Sequence, residues 1–329
     1  MSRKELVASV AAFTVLALLP SILRNDFYLG LVTQILIYGL CALSLNVLVG
    51  YGGLTSLGHA AFLGIAAYGV PLLISSFGLG HLSAALLTIL LTTLVAAAFG
   101  VLALQATGLG FLMITLALGQ ICWGVAYRWV EVTNGENGVS FPVRPRPFGI
   151  AIDGPEAFYY FTLVVFAAGA VALWRLVHAP FGASIRGTRD QPRRMRMLGY
   201  NVGAIQLAAF TVSGFWGAVS GVMFIYYYKF TSPYAVSLQQ SAELLLMTLL
   251  GGATSFVGPI VGAVVITLVK NVASSYVERW NALLGVIFVA SVVLMPRGIV
   301  PGVMDLFRPR ARPAAPADEA SPPARERRP

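Results

Sequence analysis

The sequence predicts an all-α, polytopic membrane protein with about ten transmembrane or re-entrant helices. Two observations carry that prediction. Of 329 residues, 57% are hydrophobic and only 11% charged, against about 25% charged in an ordinary soluble domain. The charges are also segregated: residues 27–127 contain no Asp, Glu, Lys or Arg. A soluble domain needs polar cover over its surface, whereas about 20 apolar residues cross a bilayer without any.

Apolar runs and the Gly and Pro residues that interrupt them place spans at roughly 6–23, 29–50, 56–77, 82–105, 109–128, 157–175, 204–228, 241–257, 258–277 and 280–296. The first run is long for a signal peptide and ends in PSILRND, without a small-residue cleavage site, so it reads as a retained span. The third and the eighth to tenth runs hold enough Gly and Pro to suit broken or re-entrant helices as well as full crossings. Residues 1–307 form the expected transmembrane domain, with a polar loop at 179–203. Residues 308–329 are rich in Pro, Ala and Arg, lack apolar bulk, and read as a disordered basic tail able to touch anionic lipid.

The net charge of +9 fits topology better than nucleic acid. Arg186, Arg189, Arg193, Arg194 and Arg196 face a single Asp190 in the central loop, which marks it as cytoplasmic. Counting spans from there puts both termini inside. It puts the 129–156 loop outside, where Glu131, Glu136, Asp153 and Glu156 outnumber Arg144 and Arg146. The three inside regions (1–5, 175–203 and 297–329) carry the whole net charge, and the other charges cancel. Trp129, Trp174 and Trp280 fall near span ends, as an aromatic belt does.

Catalysis finds no support. GxxxxGK[ST], HExxH and GxSxG are absent. Cys41 and Cys122 lie in apolar runs and suggest no disulfide. His59, His81 and His178 are too scattered to suggest a metal site.

Small residues stand out instead. Ala60, Gly64 and Ala67 share a helical face, as do Ser213, Gly217 and Gly221, and Gly258 with Gly262 makes a GxxxG. Such faces serve close helix packing, or line a pathway of interruptible helices. Gly50, Gly52 and Gly53 then open non-helical backbone, tolerated only against protein or a water-filled cavity. GGLTS at 52–56 recurs as GGATS at 251–255, either an internal repeat or two similar turns. Ser56 and Gly58 belong to the first turn, Gly251 and Gly252 to the second. In the central loop, Asp190 is placed as the N-cap of a helix over 191–198, with Pro192 in the first turn and Gly199 as its stop just after Leu198. That helix is either an anchor at the membrane surface or a dock for a cytoplasmic protein. Asn46 and His59 read as hydrogen-bond partners or substrate contacts, and Glu243 as a paired or functional intramembrane charge. Lys270 reads as a snorkelling side chain.

LSLNVLVGYGGLTSLGHAAFLGIAAY (43–68), TNGENGVS (133–140), FGASIRGTRDQPRRMRMLGYNV (181–202), SAELLLMTLLGGATSFVGPIVGA (241–263) and PRGI (296–299) resemble, in order and spacing, the LivM-like permease subunits of branched-chain amino-acid-type ABC importers. The resemblance implies a bacterial inner-membrane transport subunit rather than an enzyme. It implies a second homologous permease, two cytoplasmic ATPase subunits that bind ATP and Mg, and an extracytoplasmic solute-binding protein. The Arg-rich loop becomes the coupling element, and His59 and Glu243 match positions typical of the family motifs. Relatives carry acidic residues where Gln191, Pro192, Arg193 and Arg194 stand here, a departure that points to a dedicated ATPase. Branched-chain amino acids are the expected cargo, with urea, other amino acids, organic acids or sugars as alternatives. An ion-coupled secondary carrier is a further rival, disfavoured by the scarcity of intramembrane charge.

Overall fold

The computed structural model describes residues 25–141 and 154–276, together with 14, 16–20, 152, 282, 285, 286, 289 and 298–302. Its elements are α1 (Asp26–Asn46), which runs on into a π-helical turn (Val47–Tyr51), α2 (Ala60–Phe77), α3 (His81–Ala103), α4 (Leu109–Arg128), the single turn α5 (Val130–Thr133), β1 (Val139–Ser140), α6 (Pro155–His178), α7 (Pro180–Asp190), α8 (Pro192–Met197), α9 (Val202–Tyr228), β2 (Phe230–Thr231), α10 (Leu238–Gly251) and α11 (Gly258–Tyr276). Among the described residues six helices, α1 to α4, α6 and α9, are long and apolar enough to span a membrane. They correspond to the second to seventh predicted spans. The eighth, expected over 241–257, ends at Gly251. At about 1.5 Å per residue α10 reaches only about 21 Å, short of the ~30 Å hydrocarbon core. Most of the first and tenth predicted spans, and the 308–329 tail, lie outside the described residues.

The helices sort into a centre and a rim. α1 is buried on all sides from Thr33 to Asn46 and is surrounded by α6, α9, α10 and α11. α9 packs along α1, α2 and α3. At the rim the pattern inverts that of a soluble protein. α3 buries Ala84, Thr88, Thr92, Ala96, Gly100 and Ala103, a stripe of small residues, and turns Leu86, Leu90, Leu94 and Val101 outward. Lipid tails solvate leucine as well as a protein core does, so burial is assigned by close approach rather than apolarity. A Cβ on Gly214 of α9 would strike Ala96, which shows how near the two helices run.

Three hydroxyl-to-carbonyl bonds join the two central helices. Ser213 Oγ donates to Ser44 O (2.5 Å), Ser220 Oγ to Ile37 O (2.7 Å) and Tyr227 Oη to Gly30 O (2.8 Å). Donors step up α9 by seven residues while acceptors step down α1 by seven. That is the register of two antiparallel helices whose facing positions repeat every two turns. The Ser213, Gly217 and Gly221 face therefore divides its work. Ser213 serves α1, whereas Gly217 lies against His59 and Phe62, and Gly221 against the Leu63 carbonyl of α2. Gly64 does not meet a helix; its missing Cβ admits Ala235 and Val236 of the 3-10 turn Pro233–Val236.

A two-residue antiparallel ribbon closes one end, pairing Val139 with Thr231 and Ser140 with Phe230. It ties the TNGENGVS stretch to the end of α9. α7 and α8 project from the opposite end.

Interhelical hydrogen bonds in membranes contribute about 0.6 kcal/mol each, with a maximum near 1.7. Ser220→Ala should therefore lower stability in detergent by about 0.6 kcal/mol, measured by denaturant titration. Tyr227→Phe should add a similar loss, because rungs two turns apart are independent.

Candidate functional site

Two clusters hold the chemistry, one toward each end. At the α7–α8 end the two Gly-Gly turns meet. Each puts its second glycine in the left-handed region, Gly53 at φ +66° and Gly252 at φ +110°, a conformation that costs other residues strain. The turns touch directly. Gly50 abuts the Ala253 carbonyl, and Asn46 Nδ2 donates to Ser255 O at 3.2 Å. Gly251, Gly258 and Gly262 let α10 and α11 fold on each other backbone to backbone, and Gly298 of the PRGI stretch packs on Gly252. On the other side Gly58 abuts the Thr115 carbonyl of α4, and Ser56 Oγ accepts from Gly58 N at 3.3 Å. The Cβ position of Gly52 is occupied by the Leu48 carbonyl.

His59 sits at the start of α2, fully buried. Its Nε2 lies 2.8 Å from Ser44 Oγ, which itself donates to Cys41 O at 2.7 Å. A hydroxyl has one proton, so Ser44 spends it on Cys41 and His59 Nε2 is the donor. Nδ1 is then a bare acceptor, and it has no partner among the described residues. Phe62 stands edge-on to the ring at 5.4 Å. The next backbone amide, Ala60 N, donates to Ser241 Oγ of α10 at 3.2 Å. His59 thus sits where α1, α2, α9 and α10 come together.

The α7–α8 hairpin departs from the expected loop. α7 is held as a helix by the burial of one side, Gly182, Ile185 and Thr188, and carries Arg186, Arg189 and Asp190 beside it. Asp190 is not the N-cap of the next helix. It closes α7, with Gln191 at the cap position, and accepts from Arg189 Nε at 2.8 Å. Arg189 Nη1 reaches inward to Gly50 O at 2.6 Å. Arg186 Nη1 donates to Val177 O at 3.0 Å, and its guanidinium lies 5.9 Å from the centre of the Tyr51 ring. α8 covers 192–197, within the expected 191–198. Gly199, at φ +87°, ends it, with Tyr200 N donating to Met195 O at 3.0 Å. No residue of α8 is buried. Arg193, Arg194 and Arg196 are exposed and pair with no acid among the described residues. Beside them Met197 is 81% exposed and Leu198 67%.

The second cluster lies toward the ribbon end. Lys270 of α11 does not snorkel: Nζ sits 3.2 and 2.9 Å from the two Glu243 oxygens of α10. A paired charge escapes the cost of standing alone in a low-dielectric interior. Tyr234 Oη donates to Glu243 Oε1 at 2.9 Å, and Lys270 Nζ lies 5.5 Å from the centre of its ring. Burial first, then the Glu243 charge, pushes the Tyr234 hydroxyl above its ordinary range, so it stays a donor. Asn271 Nδ2 donates to Gln34 Oε1 at 3.2 Å, and Gln34 Nε2 to Tyr228 Oη. Sequence reading singled out Glu243 and Lys270, the latter as a snorkelling side chain, and missed Tyr234, Gln34, Asn271 and Tyr228. Lys270 and Glu243 are 27 positions apart, and only the folding of α10 on α11 brings them together.

Four of the five stretches that carry the resemblance thus converge at the α7–α8 end. A family model described as "Branched-chain amino acid transport system / permease component" matches residues 27–292. The chain belongs to this permease family. It is 27% identical over 292 residues to the high-affinity branched-chain amino acid transport system permease protein LivM of Salmonella typhimurium, covering 82% of this chain and 69% of that one. It is 26% identical over 315 residues to LivM of Escherichia coli, covering 89% and 74%. It is also 24% identical over 288 residues to an autoinducer 2 import system permease protein LsrC of Escherichia coli, covering 81% and 78%. No solved structure matches the chain significantly. This permease is accordingly a multi-pass transport protein of the membrane.

Removing one partner of a buried ion pair leaves an uncompensated charge, at about 3–5 kcal/mol. The Lys270 side chain is 20% exposed, which favours the lower end. Lys270→Met should cost about 3 kcal/mol in thermal unfolding of the purified permease. The double change Glu243→Gln with Lys270→Met should recover most of it.

Proposed function

We propose that this chain is the membrane-spanning subunit of an ATP-driven ABC importer, moving branched-chain amino acids or a related small solute by alternating access. The carrying observation is α8. It presents three exposed arginines beside exposed Met197 and Leu198, on a short helix braced by α7. A preformed helix with a charged rim and an apolar tip loses little entropy when it docks. It suits a cytoplasmic ATPase, two copies of which bind ATP and Mg, while this chain supplies the path.

The α7–α8 end then faces the cytoplasm of a bacterial inner membrane, and the ribbon end receives solute from a binding protein. A second, homologous permease completes the path, closing against this chain in the membrane. Closure of the ATPases displaces α7–α8, and the Gly-Gly turns at the same end are the places where α1–α2 and α10–α11 can bend. The LsrC relatives favour a second reading of the cargo alone, a different small polar solute carried by the same machinery.

Replacing Arg193 and Arg194 together by Glu reverses the charge of the dock. ATPase co-purification and solute uptake by membrane vesicles should both fall about tenfold or more, the equivalent of one lost charge-assisted contact. Wild-type uptake with a fully assembled complex would remove the docking role. Assaying purified solute-binding protein against branched-chain amino acids and sugars distinguishes the two cargo readings.

A further inference from the structure

Arg189 was expected, with the other arginines of the loop, to meet the ATPase. The structure turns it the other way. Its Nη1 donates to Gly50 O at 2.6 Å, its Nε is held by Asp190 Oδ1 at 2.8 Å, and its Cγ and Cδ lie where a Cβ on Gly53 would stand. Gly50 belongs to the π-helical turn that ends α1. The last carbonyls of a helix lack helical donors and carry the negative end of its dipole, so a guanidinium is a suitable cap. Arg186 holds the same turn from beside it, over the Tyr51 ring. On its far side Gly50 abuts the Ala253 carbonyl of the second Gly-Gly turn, and Asn46 bonds Ser255 O there.

An unbroken line of contacts therefore runs from α7 through Arg189 to the bend between α1 and α2, and on to the bend between α10 and α11. We propose that Arg189 is the positioning residue that transmits displacement of α7–α8 to both Gly-Gly turns. This deepens the importer reading and rests on it. α8 binds the ATPase; Arg189 carries the motion inward. A rigid planar group with two fixed bonds passes on a push or a pull that a flexible lysine transmits poorly. Gly53 takes part by leaving room: its bare Cα lets the Arg189 stem lie flat across the turn.

The test uses the whole complex, with its ATPases and binding protein, in proteoliposomes. Three quantities are read: ATPase co-purification, ATP hydrolysis, and solute taken up per ATP hydrolysed. Arg189→Ala should leave assembly intact and lower uptake per ATP about tenfold. Arg189→Lys should restore part of the loss. Gly53→Ala, which keeps the arginine and displaces its stem, should reproduce the uncoupling. Uptake per ATP at the wild-type value in Arg189→Ala overturns the proposal. Loss of ATPase co-purification in Arg189→Ala also overturns it, since Arg189 would then be part of the dock. A wild-type chain that recruits no ATPase overturns the importer reading itself, a different outcome read before any variant is made.

Discussion

The ladder between α1 and α9 is the constraint on which the rest of the molecule depends. In lipid, two apolar helices gain nothing from water by coming together. What holds them is close packing and the few polar bonds that the packing permits. Ser213, Ser220 and Tyr227 give their protons to carbonyls of α1 that already accept within the helix. Each bond is weak, but together they fix both the register and the rotation of α9. With that rotation set, Gly214, Gly217 and Gly221 face α2 and α3, and these helices can come close.

From that centre the two ends acquire different characters. At the α7–α8 end the contacts are backbone against backbone, through glycines that leave no side chain between strands of chain. Such contacts are short, numerous and easily lost if one turn moves. Toward the ribbon end the contacts are polar and aromatic: Glu243, Lys270, Tyr234, Gln34, Asn271 and Tyr228 satisfy one another.

Much of this was legible in the sequence, for physical reasons. Long apolar runs without charge can only be spans, and six of them stand close to where the runs lie. Gly199 was readable as a helix stop because few other residues tolerate its backbone geometry. The failures are equally physical. α7 was hidden because its buried face, Gly182, Ile185 and Thr188, is small and partly polar, and its arginines suggested a loop. Asp190 fits an N-cap by type and place, but Arg189 claims its carboxylate and α7 runs through it. The stripe from Ala84 to Ala103 escaped notice because the eye follows leucine, which in lipid marks the outside. The serine and tyrosine steps along α9 are visible in the sequence, but their acceptors are carbonyls, which no sequence displays.

The ion pair between Glu243 and Lys270 has an electrical consequence. Moving one elementary charge through the full membrane field involves about 2.3 kcal/mol per 100 mV. The two side chains are locked across neighbouring helices that fold tightly on each other, so they travel together and their displacements cancel. A rearrangement of α10 and α11 as one body is therefore electroneutral with respect to this pair. Through this pair, the resting voltage of the cell neither drives that hairpin nor opposes it.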